Sequence, residues 1–148
     1  DSQGIVVAAL GTDEHAYVIA DKTCRLSPDG WAQVVARAAE YYGADRVAAE
    51  RNYGGAMVES VLRSAAPNLP VKLVSATRGK HVRAEPIAAL YEQGKVHHLG
   101  VFSDMEEQMT MTTTAGFQGG GSPDRMDALV WALYELMLAD SGHTFGWT

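Results

Sequence analysis

Residues Ser122-Pro123-Asp124-Arg125-Met126-Asp127-Ala128-Leu129-Val130-Trp131-Ala132-Leu133 hold this chain to a narrow set of folds. A helix that is apolar around most of its circumference has to be buried between other layers, and Ala128 to Leu133 offer no polar face. At its mouth stand Asp124 and Asp127, three residues apart and therefore on one face. Two carboxylates converging beside an apolar element repel each other and lose hydration, so a positive partner is expected between them. A divalent metal ion is the simplest candidate.

Acids at a helix start also have an ordinary explanation in capping and in the helix dipole. The chain contains its own control in Ser27-Pro28-Asp29, which opens an earlier helix. The three letters alone therefore signal an N-cap, a proline at the first helical position and an acid in the first turn. Asp124 fits that description completely. Asp127, a turn further in, has no counterpart at the earlier site, where Trp31 and Ala32 follow.

A length of 148 residues, 47% of them hydrophobic and 20% charged, describes a single globular domain with a sizeable core. No apolar run reaches the roughly 20 residues needed to span a bilayer, so no membrane role is expected. Asp1-Ser2-Gln3-Gly4 lacks the basic flank and apolar stretch of a signal peptide. The lone Cys24 has no partner for an internal disulfide, which suits a reducing cytoplasm.

The net charge of −6 argues against a protein that coats nucleic acid with its whole surface. Its distribution is uneven: from Lys72 to His98, Lys72, Arg78, Lys80, Arg83 and Lys95 outweigh Glu85 and Glu92 to give +3, which leaves −9 on the remainder. A basic stretch set against clustered acids suits an enzyme that grips a phosphate backbone and holds metal at the cut. A solvated helix face carries the same letters.

Gly4 to Leu10 and Ala16 to Asp21 read as strands of a hairpin across a turn-like Gly11 to His15. Trp31, Val34, Val35, Ala38, Ala39 and Tyr42 recur at helical spacing up to Gly43, a C-cap. A strand over 46–50, a helix over 56–66 stopped by Pro67, a strand over 71–76, a helix over 81–93 and a short extended piece over 96–99 follow. A helix over 104–111 comes next, then a polar, glycine-rich connection over 112–121, with Gly119 to Gly121 as a flexible loop ahead of the final helix. Strands alternating with helices after a hairpin imply an α/β domain, a mixed sheet flanked by helices. The glycines lack the lysine and hydroxyl residue of a P-loop. His97 and His98, adjacent on a strand, point to opposite faces and do not pair as zinc ligands.

Glu50 closes the strand 46–50 just ahead of Arg51-Asn52-Tyr53-Gly54-Gly55, at the C-terminal edge of a strand, where α/β folds place their sites. Together with 78–98 (Arg78-Gly79-Lys80-His81 to Lys95-Val96-His97-His98) and 122–133, the stretch Ala48 to Gly55 resembles the nuclease domain of bacteriophage terminase large subunits, a likeness that runs from Gly4 to about Leu138. That family has an RNase H-like fold related to Holliday-junction resolvases, whose last helix likewise carries Asp-x-x-Asp-Ala-Leu.

The resemblance implies one RNase H-like nuclease domain over 1–148 and a metal-dependent endonuclease that cuts concatemeric viral DNA during packaging. Glu50, Asp124 and Asp127 would be catalytic and would ligate Mg2+ or Mn2+, since oxygen donors favour these ions over zinc. Two ions roughly 4 Å apart would bridge the scissile phosphate, and Arg78, Lys80 and Arg83 would hold the DNA backbone. The family's first catalytic aspartate lies on an opening strand upstream of Gly4-Ile5, and Asp1 matches a later loop acid instead, so impaired activity is expected of this chain. No Walker-type motif occurs, so the packaging ATPase would be another domain of the full-length protein. The portal and the small terminase subunit would be partners, in the cytoplasm of an infected or lysogenic bacterial host. The alternatives are a Holliday-junction resolvase-like nuclease and a non-catalytic fragment that binds DNA or the portal.

Overall fold

A computed structural model describes residues 2–51, 55–75, 80–113 and 115–139, with the side chains of 55 and 80–83 left out. Its elements run β1 (Val6–Leu10), β2 (Ala16–Asp21), α1 (Pro28–Tyr42), β3 (Val47–Glu50), α2 (Gly55–Ala65), β4 (Val71–Val74), α3 (Lys80–Glu92), β5 (Val96–His98), α4 (Ser103–Thr110), β6 (Thr112–Thr113), β7 (Gly116–Phe117) and α5 (Asp124–Met137). The hairpin and the strand and helix alternation expected from the pattern are all present. Within the supposed connection over 112–121, however, β6 and β7 pair antiparallel as a small hairpin, Thr112 opposite Phe117. Two-residue strands are too short for any periodicity to announce them.

β1 pairs antiparallel with β2, and β2 pairs in parallel with β5, giving the order β1-β2-β5. β3 and β4 form a separate parallel pair with Val47 opposite Val71 and Glu50 opposite Val74. In β2 the buried residues Ala16, Val18 and Ala20 alternate with half-buried ones, as a sheet face demands. Ala16 and Val18 enter a core with Ile87 and Leu90 of α3, Met105 of α4, and Met126, Leu129, Val130 and Leu133 of α5. A second core joins Ile5, Trp31 and Ala32 to Leu62, with Val47, Ala49 and Val71 of the parallel pair packed against it.

The final helix is apolar over most of its circumference because it serves two sides. Met126, Leu129, Val130 and Leu133, spaced i, i+3, i+4, i+7, meet α3 and α4. The opposite stripe, Asp124, Asp127, Ala128, Trp131, Ala132 and Glu135, lines a cleft. Its start differs from that of α1. Ser27 caps α1 by accepting the Gly30 N–H, and Gly43 closes that helix in the left-handed conformation at φ 66°. Ser122 caps nothing: its hydroxyl donates to Asp124, and α5 begins at Asp124, with Pro123 at the cap position and no side-chain cap. The expected second N-cap is thus replaced by a serine committed to a carboxylate.

Polar ties join the layers. Tyr91 of α3 hydrogen-bonds His98 Nε2 at 2.7 Å, and His98 Nδ1 meets Glu106 of α4 at 2.9 Å. The His98 hydrogen bond, helped by the Phe102 N–H, holds the Glu106 carboxyl below its ordinary value, while burial and the Glu106 charge push the Tyr91 phenol up. His97 faces the other way, 2.8 Å from His15 and stacked on Tyr17. The two adjacent histidines therefore do point to opposite faces. Among the described residues no helix is long and apolar enough to cross a membrane, and Cys24 is a free thiol.

Candidate active site

A cleft of about 960 Å³ lies between the β1-β2-β5 sheet and the β3-β4 pair. Residues 2–10 form one wall and 44–50 another, with α1 residues Trp31, Val35 and Ala38 on one side and the Asp124 to Glu135 stripe of α5 on the other. Among the described residues β1 pairs only with β2 and β3 only with β4, so each strand turns one unpaired edge toward the cleft. Gly4, at the entry to β1, lies against Asp124 and Ala128 at the start of α5. Arg46 reaches Glu135 near the far end of that helix, whereas Glu50 meets Trp131 nearer its start. β1 leaves from the end of α5 that β3 approaches, so the two walls run in opposite senses. An extended segment between them would pair antiparallel to one and parallel to the other.

Glu50, Asp124 and Asp127 all line this cleft. Glu50 arrives at the C-terminal end of β3 and accepts a hydrogen bond from the Trp131 indole N–H, Nε1 to Oε1 at 3.1 Å. Asp124 is bracketed: Ser2 Oγ donates to Oδ2 at 2.7 Å and Ser122 Oγ to Oδ1 at 2.6 Å. Asp127 sits one turn further along α5, its own N–H bonded to the Pro123 carbonyl. The three acids share one cavity without closing on one point. Among the described residues no group of three or more His, Cys, Asp or Glu side chains is gathered to hold a metal ion. The donor chemistry, carboxylate oxygens only, fits a hard divalent cation; the number of converging ligands is short of a full cage.

The basic stretch is divided. Lys72 Nζ lies 2.8 Å from Glu135 Oε2, and Arg46 lies 3.8 Å from the same atom. Glu135 is nearly buried, and both cations tie the parallel pair to α5. Arg78 lies outside the described residues. Lys80 and Arg83 stand in the first turns of α3, with their side chains outside the described set. Trp131 and Ser2 are the site residues that composition and motif reading missed. Trp131 had a signal: it follows Asp124 by seven positions and Asp127 by four, on the same helix face.

The family model described as the terminase RNaseH-like domain matches residues 1–136. Among solved structures, the chain is similar to the large terminase nuclease of the thermophilic phage G20c crystallised with bound cobalt, with a TM-score of 0.65 and 15% identity over 89% of this chain and 80% of that one. At that identity the likeness establishes the fold, which is RNase H-like. No curated protein sequence matches the chain.

Proposed function

This chain belongs to the terminase RNase H-like domain family, and on that premise we propose that it is the cutting module of a bacteriophage DNA-packaging machine, a metal-dependent endonuclease acting on concatemeric double-stranded DNA. The observation that supports this reading is that Glu50, at the end of a strand, and Asp124 and Asp127, at the start of a buried helix, all line one cleft.

Glu50, Asp124 and Asp127 would hold Mg2+ or Mn2+. When bound, a pair of such ions supplies Lewis-acid stabilisation of the scissile phosphate and a more acidic water. The protein's own part is orientation. Ser2 and Ser122 fix the carboxylate plane of Asp124 from both oxygens, and α5 holds Asp127 one turn away on a rigid scaffold. The unpaired edges of β1 and β3 would receive an extended strand that carries the further aspartate of the family, completing both sheet and cage. Arg78, Lys80 and Arg83 would position the phosphate backbone without reading sequence. The packaging ATPase domain of the same polypeptide, the portal and the small terminase subunit would be the partners, in the cytoplasm of the bacterial host.

The test is cleavage of plasmid and linear duplex DNA by the domain joined to such an opening strand. The expected result is cutting of both substrates that requires Mn2+ or Mg2+ and stops on chelation, with the 148-residue chain itself slow or inert. Cutting confined to four-way junctions would instead mark a resolvase. DNA binding without any cutting would mark a non-catalytic binding module.

A further inference from the structure

The Trp131 side chain is buried, 8% exposed, yet its one polar atom is aimed at a carboxylate in the cleft. Filling the space against the sheet would need only an apolar ring; the indole adds a donor that cannot accept and therefore has one way to be satisfied. That donor stands on a fourteen-residue helix, whereas Glu50 is the last residue of a four-residue strand. Tyr134 meets the indole edge-on, with centroids 6.1 Å apart. Asp124 and Asp127 occupy the same stripe of the same helix. Ser2 and Ser122 treat Asp124 in the same way, each holding one oxygen.

From this geometry we infer that Trp131 is the positioning residue of Glu50: its N–H sets the carboxylate rotamer relative to Asp127 so that the two acids can share a divalent cation. The inference rests on the reading of Glu50 as a metal ligand. The N–H donates to one lone pair of Oε1, so it restricts the rotation of the carboxylate and leaves its negative charge in place. Partners that orient a ligand in this way typically govern metal affinity about 10- to 100-fold.

The test compares the chain with Trp131→Phe, which keeps an aromatic ring and deletes the N–H, and with Glu50→Gln. Mn2+ binding is followed by calorimetry, and the indole emission is followed during Mg2+ titration. The expected result is Mn2+ binding weakened about tenfold in Trp131→Phe with thermal melting still cooperative. The unsubstituted chain should also show an Mg2+-dependent emission change that Glu50→Gln abolishes, a readout that serves even if Trp131→Phe fails to fold. Equal Mn2+ affinity in Trp131→Phe and the unsubstituted chain, with Glu50→Gln weakened, would overturn the positioning role alone. Cation binding with no emission change in the unsubstituted chain would do the same. Unchanged affinity in Glu50→Gln would overturn both this role and the metal reading beneath it.

Discussion

Asp127→Asn, in the domain completed by its opening strand, should lower the cleavage rate by about a hundredfold or more while DNA affinity stays within about twofold, because charge stabilisation at the reacting phosphate is lost and no phosphate contact is removed. Asparagine has the shape of aspartate and keeps one carbonyl oxygen, so packing at the start of α5 is preserved. The loss is of charge: a neutral amide neither repels Asp124 nor holds a divalent cation firmly. The accompanying change in stability should be small, about 0.3–1 kcal/mol, from the weakened interaction with the helix N-terminus. Single-turnover cleavage, a filter-binding titration and a urea melt separate these three effects. Cleavage retained within a few fold would remove Asp127 from the chemistry and leave it as a first-turn acid.

Among the described glycines, Gly4→Ala should be the most damaging. A Cβ at Gly4 would lie 2.1 Å from the Asp124 carbonyl oxygen, 2.8 Å from its carbonyl carbon and 3.2 Å from the Ala128 Cβ. Both atoms at closest approach are backbone, so no rotamer change relieves the clash and the first turn of α5 has to move. Overpacking of this kind costs about 1–3 kcal/mol. The displacement would also carry Asp124 off Ser2, which reaches it from two residues before Gly4. A urea melt should show the lost stability, and Mn2+ affinity should fall with it. A variant with unchanged midpoint and affinity would mean that β1 and α5 are not in such close contact.

Much of this was legible before any coordinates. The helix with apolar positions over most of its circumference had to be buried, and it is, because Met126, Leu129, Val130 and Leu133 face one core while Trp131 and Ala132 face the cleft. Ser27 and Gly43 act on α1 as their chemistry requires, since capping is decided within a few residues. What stayed hidden depends on chain segments far apart in sequence. Trp131 meets Glu50 across 81 positions, Lys72 meets Glu135 across 63, and Ser2 meets Asp124 across 122. Periodicity cannot report such pairs. The same reason explains Ser122, which shares its local letters with Ser27 but lies beside an acid already held by Ser2, and donates to that acid instead of capping. Lys72 reads as part of a basic stretch for DNA, and only the fold shows that it pairs with Glu135.

The resemblance and the geometry meet at the cleft. Among the described residues, three acids line it without forming a closed cage, and two strands of opposite sense border it with unpaired edges. One extended segment bearing one acid would pair with both edges and add a carboxylate to the cleft.

The most direct measurement is a crystal of the strand-completed domain soaked in Mn2+, with anomalous scattering recorded at the manganese edge. The expected result is one or two peaks in the cleft within about 2.0–2.3 Å of oxygens of Glu50, Asp124 or Asp127, a distance typical of small hard cations. A cleft without anomalous density, or manganese bound only elsewhere, would contradict the metal centre and the nuclease reading built on it.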